Sequence, residues 1–435
     1  MKRSILSIVT FGILLSGCNY LKKEKVHLEG EREAVLLDAD LLTPASNISE
    51  KSVTLTQASS KADWPQASGN PAHSVGHLTL SDNISIAWHT NIGAGSGSER
   101  RILSEPIVVN NKIYALNANA EVVAVNAVNG EKLWQIAVTP TDYSVGSLGG
   151  GVGFENGTIY VTTSYAEVLA LDADNGSIIW RKSLNSPSRV APTIHSGRVY
   201  VVTINNELEV FDTKGNKLWD HAGIIETAGL LGGASPAVMG NVVVVPYSSG
   251  EVYALNSENG QPLWSESLAS FRKIDSVTSI PHICANPVIH NNSVYIVSHS
   301  GRMSSLNLSS GTANWNRDIG GTKTPIVIGD SIFIITSENQ LACLSTTNGQ
   351  VKWVENLPRY ESEESSKGRI VWTGPLLASN KLIAVSSTGE IKVLNPQDGE
   401  VTNMISIGDG TSIPPVIANE TMYILTDNGY IYALR

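Results

Sequence analysis

Few residues of this chain have the types and spacing that bond chemistry needs. There are nine histidines and three cysteines among 435 residues. His73 and His77 stand four apart, the spacing that sets two imidazoles on one helix face for zinc. They fall in a Gly/Pro-rich stretch, however, and no HExxH pattern accompanies them. The stretch "DADNG" at Asp172–Gly176 opens like a calcium loop. No Glu follows at the twelfth position, and the same slot reads "NSENG" and "STTNG" elsewhere. A G-x-S-x-G nucleophile elbow is absent from the sequence. Cys284 and Cys343 lie far apart and read as small buried residues, not as a disulfide framework. The expectation is no catalytic residue, no metal and no cofactor.

What recurs instead is a phrase. "VVAVNAVNGEKLW" ends at Trp134, "VLALDADNGSIIW" at Trp180 and "EVYALNSENGQPLW" at Trp264, each with a Gly four residues before the Trp. The same Gly–Trp step ends at Trp219, Trp315 and Trp353; a seventh copy has Gly399 but Asn403 in the Trp slot, and Trp88 stands early without the turn. These slots are 46, 46, 39, 45, 51, 38 and 50 residues apart. A period near 45 is that of a four-stranded propeller blade.

Each unit opens on an apolar strand, usually after Pro, as in "SEPIVV" and "ANPVIH". It turns, runs through a β-branched strand such as "KIYAL", alternates as in "EVYALN", turns at Asn-Gly and closes on "KLW". The last unit, from Ile413 to Arg435, holds only three such strands, and "ISIAWHTNI" near the N-terminus is an orphan of the missing kind. Pairing the two removes an open sheet edge. The fold class is therefore all-β: an eight-bladed β-propeller of four-stranded antiparallel blades, its last blade closed by an N-terminal strand. Trp88, Trp134, Trp180, Trp219, Trp264, Trp315 and Trp353 read as wedges locking blade to blade, since a ligand-stacking row would not repeat at every interface.

Lys2 and Arg3, an apolar run from Ile5 to Leu15 and then Leu15-Ser16-Gly17-Cys18 form a secretory signal whose end resembles the bacterial lipobox. By that resemblance residues 1–17 are removed, Cys18 carries lipid, residues 18–62 are a tether, and 63–435 form the propeller. A formal net charge of −10, with no Lys/Arg cluster, argues against a nucleic-acid partner.

The Ala-x-Asp-x-x-x-Gly-x-x-x-Trp pattern resembles the repeats of pyrroloquinoline-quinone (PQQ) dehydrogenase-type propellers. Together with the lipobox, "ADWPQASGNPAHSVGHL" (Ala62 to Leu78) and "GSGSERRILSEPIV", it resembles the BamB family of propeller lipoproteins of the outer-membrane β-barrel assembly (BAM) machinery. The resemblance implies a scaffold without bond chemistry, lipid-anchored at the periplasmic face of the outer membrane. It implies binding to the POTRA domains of BamA and other BAM components, and help to unfolded outer-membrane proteins. Two other readings remain: a periplasmic PQQ-type quinoprotein and a glycan-binding propeller. The first needs adjacent cysteines, which the chain lacks.

Partner contacts are expected where connections between blades are long. Trp219 to Pro236 spans 17 residues and Trp264 to Pro287 spans 23, against 10 from Trp315 to Pro325. "GIIETAGLLGGASP" offers Leu230 and Leu231 between glycines; "SFRKIDSVTSIPHICANP" offers Phe271, Ile280 and Ile283. The family resemblance places the partner surface in these two loops. Leu230 and Gly232 match its motif, Leu231 stands where other members carry Arg, and Asp275 is the nearest counterpart of an acidic pair. The acidic-then-basic stretch "RYESEESSKGRIVW" reads as a solvated loop.

Overall fold

Eight four-stranded antiparallel sheets follow one another around a ring in the computed structural model, which describes residues 42–45, 52–144, 146, 148–269 and 280–435. Blades 1 to 7 span 107–137, 150–183, 193–222, 237–267, 288–317, 326–356 and 372–406. Blade 8 joins three strands of 416–434 to Ile86–Asn91, which pairs with Tyr430–Leu434 through Trp88 opposite Ala433 and Thr90 opposite Ile431. The closure expected from the orphan strand is present.

Burial follows strand position. The second and third strands of each blade are sandwiched by neighbouring blades and are nearly all buried, as in Lys112–Leu116 and Glu121–Asn126. The fourth strand is the rim and alternates between exposed and half-buried, as in Lys132–Ala137. Blade 2 departs from the Pro-opened pattern: its first strand, Gly150–Glu155, begins "GGVG". A Cβ on Gly151 would sit 2.7 Å from the Ala191 Cβ of the next blade, so only glycine lets these inner strands approach.

The Gly and the Trp of one phrase serve different interfaces. Trp134 Nε1 donates to the Ala173 carbonyl (3.3 Å), in the third turn of the following blade, and Gly176 of that turn lies over the Trp134 ring. The same pairing joins Trp180 to Thr213 and Gly215, Trp219 to Ser257 and Gly260, and Trp264 to Leu308 and Gly311. It then joins Trp315 to Thr346 and Gly349, and Trp353 to Pro396 and Gly399. Trp88 lies under Gly130, but its Nε1 has no hydrogen-bond partner among the described residues. Each glycine is doubly required: φ is +67° to +82°, and an added Cβ would meet the ring at 2.5–2.9 Å. Asp172 Oδ1 accepts the Asp174 and Asn175 N–H groups, so "DADNG" is an Asx turn. Asn403 finds its reason here. In blade 8 the third and fourth strands are separate segments, joined by the Arg435–Ser85 backbone pair, so no Gly turn exists there to cover a Trp.

One feature was not foreseen. The segment from Ser52 to Leu80 crosses one end of the ring as a strap. Trp64 exchanges backbone hydrogen bonds with Val108 (2.6 and 2.9 Å); Pro65, Pro71 and Ala72 carbonyls accept from Phe154, Val238 and Ile289. Gln66 bonds both backbone groups of Ile194, and Leu78 exchanges bonds with Leu377 and Ser379. The inner strands of blades 1–5 and 7 thereby gain partners for edges that would otherwise face the channel. Lys61 reaches the turn of blade 8, at Asn419, and Thr54 that of blade 6, at Asp330. Residues 52–62, expected to belong to a free tether, are thus held on the ring, and Val53 is buried in its core. The stretch "RYESEESSKGRIVW" also differs from the expected loop: Tyr360–Ser362 pairs with Lys367–Arg369 as an exposed hairpin.

Candidate functional site

At the end of the ring opposite the strap, the connections between blades form the face on which partner contacts were expected. The connection after blade 3, residues 223–233, leaves the rim strand Lys217–Ala222 and returns to the inner strand Ala237–Met239. It carries no regular structure, yet its backbone is pinned. Asn206 Nδ2 donates to the Ile224 carbonyl (2.5 Å), and the Ile224 N–H donates to Glu251 Oε2 (3.0 Å). Farther along, the Leu230 N–H donates to Nδ1 of buried His282 (2.9 Å) from the next connection. Ser235 N–H donates to Asn286 Oδ1 (2.8 Å) two positions beyond the loop, tying the two connections together.

Side chains on this pinned loop divide in two ways. Leu231 is 47% exposed and borders the larger of two cavities, of about 460 and 220 Å³, whereas Leu230 is half-buried and lines both. Gly232 has φ of +116° with open space around it, so it serves the backbone path and not close packing. Ile224 and Ile225, at 60% and 63% exposure, are the loop's most exposed apolar residues. Sequence reasoning passed over them in favour of Leu230 and Leu231, which stand between glycines. Asp275 and Phe271 lie outside the described residues, as does Cys18. Ile283 is not available to a partner: it is 1% exposed and packs with Trp264, Leu268 and Ile289 between blades 4 and 5. Apolar character in a connection marks both core plugs and exposed anchors, and only the three-dimensional path separates them.

His282 holds the loop as an acceptor, so it must be neutral. Burial, then the charges of Arg189 and His299, pull its pKa from 6.5 down to about 4. The unfolded chain takes up this proton below pH 6.5 and the native one only near 4. The contribution is therefore complete above pH 6.5 and is lost as pH falls toward 4, at about 1.4 kcal/mol per unit. A His282→Gln variant is expected to show a flatter stability profile between pH 6.5 and 5 in denaturant titrations. Equal slopes for the variant and the parent would refute the assignment.

Neither cysteine among the described residues is an activated nucleophile. Burial pushes the Cys284 and Cys343 thiols up to about 12, so both stay protonated at neutral pH. Among the described residues, no group of three or more His, Cys, Asp or Glu is placed to hold a metal.

Comparison with known proteins agrees with this geometry. The chain is 24% identical over 363 residues to the outer membrane protein assembly factor BamB of Yersinia pestis, covering 80% of this chain and 87% of that protein. It is 25% identical over 211 residues to the factor of the same name from Legionella pneumophila, covering 46% of this chain and 50% of that one. An uncharacterized protein of Rickettsia prowazekii is 27% identical over 227 residues, 51% of this chain and 54% of its own length. With the latter two proteins the match thus spans about half their length. The fold is shared with the crystal structure of BamB from Moraxella catarrhalis (TM-score 0.69, 16% identity, 81% of this chain and all of that one). A europium-containing methanol dehydrogenase shares it too (TM-score 0.65, 14% identity, 83% and 89% covered). Residues 118–355, more than half of the chain, match the model of the outer membrane protein assembly factor BamB family, and the chain belongs to that family.

Proposed function

We propose that this protein is a non-enzymatic scaffold of outer-membrane protein assembly. In this reading it is held at the periplasmic face of the outer membrane by lipid on Cys18, with the chain from Cys18 to about residue 41 as the tether, since Leu42 and Ala45 already bond Gln340 and Val351. It binds the POTRA domains of BamA through the connection after blade 3 and so aids insertion of β-barrel proteins. One observation carries the interface: an exposed apolar set, Ile224, Ile225 and Leu231, on a loop fixed at both ends by Asn206, Glu251 and His282. Fixing the backbone beforehand removes ordering entropy from binding, and a few apolar anchors then supply most of the energy. The repeated Trp–Gly pairs belong to the ring itself and leave this loop as the variable part.

The test separates Leu231 from Leu230. Leu231→Asp combined with Ile225→Asp is expected to weaken binding to isolated POTRA domains by more than about a hundredfold. Each anchor buried contributes about 1.5–3 kcal/mol before any charge penalty. Thermal melting should stay within a few degrees of the parent, because both side chains already face water. Unchanged affinity would move the interface to another surface.

A further inference from the structure

The larger cavity, about 460 Å³, is a well at the centre of the ring. Residues that open the inner strands line it, among them Glu105 of blade 1, Ser235 of blade 4 and Thr324 of blade 6. Ala67 of the strap also lies in its lining, so the strap forms part of its wall.

Two cations line it, Arg189 and Lys323, and neither meets a carboxylate. Among the described residues the Arg189 guanidinium has no hydrogen-bond or ion-pair partner. Lys323 Nζ donates once, to the Ser412 carbonyl at 3.2 Å. Burial lowers the Lys323 pKa, opposed by Cys284 and by Asp427, which lies outside the lining. The lining has one carboxyl, Glu105. Burial raises its pKa from 4.5 to about 8, against the pull of the Ser68 N–H that it accepts, so it is neutral at pH 7. The Cys284 thiol is neutral as well. The lining therefore holds two basic side chains, Arg189 and Lys323, together with His299, and no ionised carboxylate faces them at neutral pH. Unpaired cations in a concave, partly dry site are costly until an anion arrives. The planar guanidinium suits a carboxylate, and Leu103, Ile413 and Leu230 offer an apolar wall for the stem that bears it.

We propose that this well is a carboxylate-binding site, with Arg189 and Lys323 as its donors. The carboxylate comes either from the end of an extended polypeptide or from a free organic acid, since both present the same group on an aliphatic stem. The site borders the loop assigned to POTRA binding at Leu231, whereas Ile224 and Ile225 lie outside its lining.

Calorimetry on the full chain tests it with four probes: acetylated tetra-alanine with a free carboxy-terminus, the same peptide amidated, succinate, and inorganic phosphate. Binding of the free-acid peptide or of succinate is expected, with the amidated peptide at least tenfold weaker than the acid if the peptide binds. Arg189→Gln and Lys323→Gln should each weaken the bound carboxylate at least tenfold. Tighter peptide than succinate identifies a chain end; the reverse identifies a free acid. Should Lys323→Gln not fold, Arg189→Gln carries the test with Lys323→Arg, which should keep binding. An Ile224→Asp/Ile225→Asp variant, altered outside the lining, should bind the carboxylate as the parent does, so failure of the POTRA reading leaves this result standing. The proposal is overturned if no carboxylate binds, if acid and amide bind equally, if phosphate alone binds, or if Arg189→Gln changes nothing.

Discussion

Replacing Trp64 by alanine is expected to lower stability by about 3–5 kcal/mol, the range for truncating a buried large aromatic side chain. Trp64 is 2% exposed and packs in the largest core cluster with Val75, Leu78 and Val108. Its backbone also pairs with Val108, so the side chain anchors a strap whose hydrogen bonds reach six inner strands. The ring spreads its stability over repeated neighbours, and loss of one ordinary contact stays local. Loss of this anchor does not, because the strap ties many blades at once. The measurement is guanidinium unfolding of the variant, together with hydrogen exchange of the Phe154, Val238 and Ile289 amides, which donate to the strap. Faster exchange at all three with a lowered midpoint is expected. A loss below about 1 kcal/mol with unchanged exchange would show that the strap is incidental to stability.

Ending the chain at Gly429 is expected to abolish the folded ring. The missing strand, Tyr430–Leu434, lies between Ile86–Asn91 and Thr421–Leu425, so its removal deprives the N-terminal strand of its only sheet neighbour among the described residues. Ile431, Ala433 and Leu434 are fully buried and Tyr432 nearly so. Each large apolar side chain lost costs about 1.5–3 kcal/mol, and the sum approaches the 5–15 kcal/mol that holds a typical domain together. The remaining inner strands of blade 8 would also present open edges. Gel filtration should show aggregate instead of monomer, and circular dichroism no cooperative melt. A monomer melting within about 5 °C of the full chain would contradict closure by this strand.

Much of this molecule was legible in its residues because its information is local and repeated. The spacing of Trp134, Trp180, Trp219, Trp264, Trp315 and Trp353 is a property of the chain alone. So are the Asn-Gly turns and the alternation that leaves one strand of each blade at the rim. Every blade meets the same neighbour, so one unit, read correctly, determines the ring and even its composite closure. What the repeat does not determine is which Gly sits on which Trp. The phrase puts Gly176 and Trp180 together in sequence, whereas the fold puts Gly176 on Trp134, since the outer turn of one blade overlaps the rim strand of the blade before it.

The non-repeating segments were decided only by tertiary structure. In the strap, "WPQASGNP" has no period because its partners are backbone edges supplied by four different blades, far away in sequence. In the connection after blade 3, Leu230 and Leu231 are equivalent on paper. With the Leu230 N–H bonded to His282, the first is half-buried and lines both cavities, while the second borders only the larger one and is 47% exposed. Ile283 looked like an anchor and is core, because its loop folds back between two blades. Arg189 and Lys323 are 134 residues apart in the chain, and nothing local marks them as lining one well. The sequence by itself determined what each blade is, since hydrophobic period and turn chemistry act over a few residues. The tertiary structure decided what the two ends of the ring are, since there the partners of a residue are set by the path of the chain and not by its neighbours.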